Sequence, residues 1–136
     1  MTTDDDVRRI LTSVKTIALV GFSANASRAS NSVARFLQSK GFRVIPVNPG
    51  LAGQTQIGET VYATLSDIPE PVDMVDVFRL PEYVAEVMDE AIAIKAKVVW
   101  TQLDIVDEVA AAKGRAAGLE VVMDRCPAIE MPRLGL

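Results

Sequence analysis

Two arginines, Arg28 and Arg79, each stand a few residues beyond the end of an apolar run. A guanidinium pairs a phosphate through two parallel hydrogen bonds, so two that converge would suit a ligand carrying more than one phosphate. Around Arg28 lies a segment rich in hydroxyls and amides, with Ser23, Asn25, Ser27, Ser30 and Asn31 following Gly21. Ser23, Ser30 and several backbone N–H groups can meet a phosphate there, at the N-terminus of a helix that begins near Ser30. The acids offer less chemistry. Asp76 interrupts an apolar run, and a buried carboxylate persists only with hydrogen-bond partners; a backbone amide or a hydroxyl at the edge of the site is expected to supply them. Asp124 follows another run, but no histidine, lysine or metal cluster stands beside either acid to complete a general acid–base pair. The chain has no histidine at all, which excludes Ser-His-Asp and Cys-His catalysis and zinc sites that need imidazole. Cys126 is the single cysteine. It allows no intramolecular disulfide, suits a reducing compartment, and reads as an inert thiol packed just past a strand.

The elements that must position these groups follow from periodicity. Residues 4–14 carry Val7, Ile10, Leu11 and Val14 behind three aspartates, the pattern of a short amphipathic helix with acids at its positive end. Thr16-Ile17-Ala18-Leu19-Val20, stopped by Gly21, reads as a strand covered on both faces. Val33, Phe36 and Leu37 mark a helix, Phe42 to Val47 a second strand closed by Asn48-Pro49-Gly50, and Val72 to Phe78 a third. Glu82 to Ala96 is helical by spacing, Lys97 to Thr101 is strand four, and a helix from Asp107 to Gly118 leads to strand five at Leu119 to Met123. The tail from Cys126 to Leu136, with two prolines, is expected to run extended over the fold or onto a second subunit.

Strands alternating with helices favour right-handed parallel crossovers. The expectation is an α/β fold, a single doubly wound parallel five-stranded sheet of Rossmann-like type, with strand order 3-2-1-4-5. Ligands would then bind outside the carboxyl ends of strands one and four, where the winding reverses. At 136 residues, 49% apolar and 24% charged, residues 1–136 form one domain able to fold alone. A net charge of −4 with scattered basic residues argues against nucleic acid. The acidic start, Thr2-Thr3-Asp4-Asp5-Asp6, is unlike a signal peptide, and no apolar run nears the ~20 residues of a membrane span, so a cytoplasmic location is expected.

A dinucleotide fingerprint would place G-x-G-x-x-G after strand one and an acid at the end of strand two. Gly21-Phe22-Ser23-Ala24-Asn25-Ala26 keeps only the first glycine, and strand two ends in Pro46-Val47-Asn48-Pro49 without a carboxylate. The pattern suits a nucleotide, not NAD in particular. Together Ile17 to Gly21, Arg28 with Ser30, Val44 to Pro49, Val75-Asp76-Val77-Phe78-Arg79 and Met123-Asp124-Arg125-Cys126-Pro127 resemble the small stand-alone CoA-binding-domain proteins. Those in turn resemble the CoA-binding Rossmann-like domain of succinyl-CoA synthetase.

The resemblance implies non-catalytic binding of coenzyme A or an acyl-CoA through its ADP and pyrophosphate. Carried over by position, Gly21 turns the chain at the site, Ser23, Arg28 and Ser30 hold phosphates, and Val47, Asn48 and Pro49 border the adenosine, while Phe78 and Arg79 close the other wall. A carboxylate after strand two would repel the phosphorylated ribose of CoA, and none is present. Three positions depart from the family pattern. Ala26 and Ala29 replace prolines that stiffen the first loop, and Asp104 replaces a glycine near the end of strand four, where a carboxylate beside a phosphate would weaken binding. Cys126, beside Arg125, could alternatively form a mixed disulfide with bound CoA. Two other readings stay open: an accessory subunit of an enzyme that handles acyl-CoA, and a module whose ligand site has decayed. A homodimer or an enzyme partner is compatible with both.

Overall fold

A computed structural model describes residues 2–136. The first helix, α1 (Asp4–Ser13), is fixed by a capping box in which Thr3 accepts from the Asp6 amide and the Asp6 carboxylate accepts from the Thr3 amide. Its three first-turn aspartates face the positive end of the helix dipole, and Val7, Ile10 and Leu11 are buried. The chain then runs through β1 (Thr16–Val20), α2 (Ala29–Ser39) and β2 (Arg43–Val47) to a small antiparallel hairpin of β3 (Thr55–Gln56) and β4 (Glu59–Thr60). β5 (Met74–Val77), α3 (Val84–Ala93), β6 (Val98–Thr101), α4 (Glu108–Ala116), β7 (Glu120–Val122) and α5 (Pro127–Arg133) complete it.

All five strands of the main sheet are parallel, as expected, but their order is β2-β1-β5-β6-β7. Counting sheet strands alone this is 2-1-3-4-5, which corrects the expected 3-2-1-4-5. Pro46 supplies a physical reason. Proline has no N–H for a ladder, so within sheets it belongs on edge strands. Here β2 is the edge, and the Pro46 carbonyl accepts from the Tyr62 amide at 3.1 Å while the Tyr62 carbonyl accepts from the Asn48 amide at 2.9 Å. The segment around Tyr62 therefore covers the side of β2 where strand three was expected. The winding reverses between β1 and β5, and the crevice lies there, not between strands one and four.

Side chains alternate across the sheet into two cores. Ala18, Val20, Ile45, Val47, Val75, Val77 and Val99 pack beneath α3 and α4, while Ile17, Leu19, Val44, Met74, Val98 and Trp100 pack beneath α1, α2 and α5. Gly114 lets α4 approach α3, since a Cβ there would collide with the Met88 sulfur. The tail is a second correction, because it forms helix α5. Pro127 lies in its first turn, where a missing N–H removes no intrahelical bond. Met131 packs into the core, and the buried Glu130 carboxylate accepts from Arg125 at 2.8 Å and from Arg133 at 2.6 Å. Burial opposes ionisation of Glu130, but the hydrogen bonds from Arg133 and Arg125 outweigh it and hold its carboxyl below the usual range. No helix among the described residues is long and apolar enough to cross a membrane.

Candidate functional site

β1 and β5 run side by side until the Phe78 amide donates to the Val20 carbonyl at 2.8 Å. At Gly21 the backbone turns to φ +89, and a Cβ there would strike the Phe78 carbonyl. The position therefore demands glycine twice over, once for its dihedral and once for contact. This close approach opens a cleft of about 420 Å³ outside the carboxyl ends of β1, β2 and β5. That volume lies within the ~300–1,000 Å³ of small-molecule sites.

Six of the nine residues singled out in the sequence line the cleft: Gly21, Val47, Asn48, Pro49, Phe78 and Arg79. Asn48 is a structural latch, donating from Nδ2 to the Phe22 carbonyl at 2.7 Å and accepting from the Gly50 amide at 2.8 Å. The Arg79 guanidinium stacks over the Tyr83 ring at 4.1 Å, close enough for a cation–π attraction.

Ser23, Arg28 and Ser30 belong instead to the adjoining loop and are not part of the cleft lining. The buried Ser30 hydroxyl accepts from the Ser23 amide at 3.0 Å, and the Ser23 hydroxyl accepts from the Asn25 amide at 3.1 Å. Asn31 donates to the Ser23 carbonyl, and Asn25 accepts from both the amide and hydroxyl of Ser27. Much of the loop's polarity is thus bonded within the loop. Arg28 is exposed and is the N-cap of α2, yet it supplies no side-chain cap. By contrast, Thr3 caps α1 and Asp107 caps α4. The first-turn amides of α2, like those of α3 and α5, therefore lack the side-chain acceptor that α1 and α4 have.

Sequence reasoning missed Tyr83, Glu86 and Glu90 on the far wall. Glu86 and Glu90 are one turn apart on α3, a spacing that puts both on the same face, and this was the available signal. Burial, reinforced by Glu86, raises the Glu90 carboxyl above its ordinary range, with Arg79 pulling the other way. The cleft thus carries two carboxylates facing one guanidinium.

Beneath the crevice, Asp76 is fully buried, and neither carboxylate oxygen has a hydrogen-bond partner among the described residues. The expected amide or hydroxyl partner is absent, which corrects the sequence reading. Asp76 lies in register between Leu19 and Trp100 within the sheet, where burial pushes its carboxyl well above the usual value. Gln102, two residues beyond Trp100, is also buried, and its Oε1 is likewise unpaired among the described residues. Asp104 has φ +66, a left-handed conformation that explains why a small or Asx residue stands there. Its amide donates to Asp124 Oδ1 at 2.7 Å, and Asp104 is outside the cleft lining. Cys126 is buried at the start of α5, while the neighbouring Arg125 guanidinium is engaged by Glu130 and the Thr2 carbonyl.

A doubly wound parallel sheet with a cleft at its reversal point and an uncapped helix N-terminus alongside defines a Rossmann-like binding domain. Residues 15–132 match the CoA binding domain family, and the chain belongs to that family. It is 35% identical to the uncharacterized protein YneT of Bacillus subtilis, covering 89% of this chain and 88% of that one. A hypothetical protein from Pyrococcus horikoshii OT3 superposes with a TM-score of 0.93 at 39% identity, covering 99% of this chain and 94% of that one. The dinucleotide-forming acetyl-coenzyme A synthetase 1 of Ca. Korarchaeum cryptofilum shares the fold at 24% identity and a TM-score of 0.67, over 79% of this chain and 25% of that one.

Proposed function

We propose that this protein binds coenzyme A or an acyl-CoA without catalysing its conversion. The observation that carries the reading is the cleft at the β1/β5 reversal, with Gly21 at its floor and Arg79 on its wall, in a chain of the CoA binding domain family. The adenosine occupies the cleft between Asn48-Pro49 and Phe78-Arg79. The pyrophosphate passes over Gly21 toward the uncapped first turn of α2, where backbone amides and the helix dipole favour an anion. Arg79 pairs a phosphate from the cleft side and Arg28 another from the loop side. The thiol end leads away over the carboxyl ends of the remaining strands. In this reading the cleft retains the ligand, and its carboxylates, Glu86 and Glu90, serve recognition.

Thermal unfolding with added ligands tests this reading. CoA is expected to raise the melting temperature more than dephospho-CoA, and both more than NAD, because bound ligand stabilises by mass action. Equal stabilisation by CoA, ADP and NAD, or by none of them, would overturn it.

The accessory-subunit reading draws on a different observation. Leu80, Leu103, Val106 and Val109 are 62%, 49%, 42% and 82% exposed on the segments that follow β5 and β6. Exposed apolar side chains on these loops and on the first turn of α4 suit a protein contact. Acyl-CoA turnover that appears only when a partner enzyme is added would favour this reading over simple retention. Of the two features behind the decayed-site reading, Asp104 is not part of the cleft lining, while Ala26 and Ala29 still stand in the loop.

A further inference from the structure

The cleft is not uniformly suited to an anion. Its Gly21 end opens toward the loop and the α2 N-terminus, whereas its α3 wall carries Glu86 and Glu90 against the single guanidinium of Arg79. A phosphate at the α3 wall would face two like charges, and their repulsion is screened less in a partly buried site than in open water. A neutral group with N–H donors meets no such penalty. The space between the two ends is walled by Val47, Pro49 and Leu80, with the Arg79–Tyr83 stack beside them, which suits a flat heterocycle. Glu86 is exposed, while Glu90 is half-buried, so a hydrogen bond to Glu90 competes less with water.

We propose that Glu90 is a specificity-determining residue of this cleft, accepting a hydrogen bond from the exocyclic amine of an adenine base whose phosphates point back toward Gly21. This rests on the CoA-binding reading and adds the orientation of the ligand and the means of base selection. Adenine presents an amine at that edge of the ring; hypoxanthine presents a carbonyl at the same position, and its lone pairs would meet the Glu90 carboxylate. A half-buried acceptor left facing another acceptor loses its hydrogen bond, which discriminates against the carbonyl.

The test compares CoA with its hypoxanthine analogue, in which the amine is replaced by a carbonyl, by calorimetric titration of the whole native chain and of Glu90→Gln. The native chain is expected to bind CoA at least about tenfold more tightly than the analogue. In Glu90→Gln the ratio is expected to collapse toward one, because an amide can donate to the carbonyl as readily as it accepts from the amine. Equal binding of the two ligands by the native chain overturns the proposal and leaves CoA binding intact; that result would also arise if Glu90 held a ribose hydroxyl. A ratio that survives in Glu90→Gln overturns it as well. Binding of neither ligand overturns both this proposal and the function it rests on.

Discussion

The loop after β1 and the carboxyl-terminal halves of β5 and β6 lie along the same edge of the sheet, and they treat their polar groups in opposite ways. In the loop, Ser23, Asn25, Ser27, Ser30 and Asn31 bond to one another or to nearby backbone. At the β5 and β6 ends, Asp76 and Gln102 Oε1 are buried without partners among the described residues, and Arg79 rests on an aromatic ring. The loop holds more polar residues, yet their side chains mainly shape the backbone. The few polar groups beside β5 and β6 are the ones whose energetics a ligand or a change of pH would alter.

Breaking the contact that joins the two regions should have the largest effect. Gly21→Ala forces a side chain into a left-handed dihedral and against the Phe78 carbonyl. We expect a loss of about 3 kcal/mol in urea unfolding, together with loss of CoA binding. Unchanged stability would mean that the close approach of loop and β5 is dispensable.

The next effect separates the unpaired carboxyl from its surroundings. Folded Asp76 keeps its proton at pH values where the unfolded chain, near the ordinary 3.8, has released it. The folded state binds the extra proton, so this group makes stability greatest below the unfolded value and lowers it as pH rises toward the raised folded value, by up to about 1.4 kcal/mol per pH unit. Asp76→Asn removes the titration. The native chain should therefore lose stability relative to this variant as pH rises above the unfolded value of 3.8, and parallel pH profiles would show that Asp76 is not held as a neutral acid.

Arg79→Ala and Arg28→Ala sharpen the comparison directly. Arg79 lines the cleft, and its loss is expected to weaken CoA binding about tenfold or more. Arg28 is exposed on the loop, so its removal is expected to change affinity by about threefold at low salt and less at high salt. Equal effects in titrations at both ionic strengths would place the two arginines in equivalent roles.

The smallest effect concerns the loop's entropy. The Arg28 amide donates to the Asn25 carbonyl, closing a turn in which Ala26 is the second residue, and Ala29 is the first residue of α2. Proline is favoured at both kinds of position, and the extended Arg28 (φ −81, ψ 143) tolerates a following proline. Ala26→Pro with Ala29→Pro is expected to add about 0.5–1 kcal/mol of stability per site and to tighten CoA binding modestly. Destabilisation of the double variant would show that the loop needs another conformation than the one described.

Much of this molecule was legible in the residues. The run Thr16 to Val20 ending at Gly21, the breakers at Asn48-Pro49-Gly50 and the helical spacing of Val84, Val87, Met88 and Ala91 are local signals, and they gave the elements and their parallel arrangement. The six residues named in advance that line the cleft sit at or just beyond strand ends, and most of them were named through the family resemblance. Strand order was a harder matter, although Pro46 carried a clue. Which edge the segment around Tyr62 would cover depends on contacts between residues far apart in the chain. The tail was misread because its prolines weigh heavily in local terms, whereas the burial of Met131 and the pairing of Glu130 with two arginines settle its helix.

The order of residues along the chain determined, by itself, the alternation of strand and helix, the stop to the first strand at Gly21 and the exclusion of histidine chemistry. Those depend on side-chain periodicity, backbone sterics and composition, all of which are properties of short stretches. Tertiary structure alone decided that Arg79 faces Glu86 and Glu90 across a cleft while Arg28 lies outside its lining, and that Asp76 goes without a partner. Burial and electrostatic environment arise only when distant segments pack, and they set whether a polar group is solvated, bonded within the protein or left to meet a ligand.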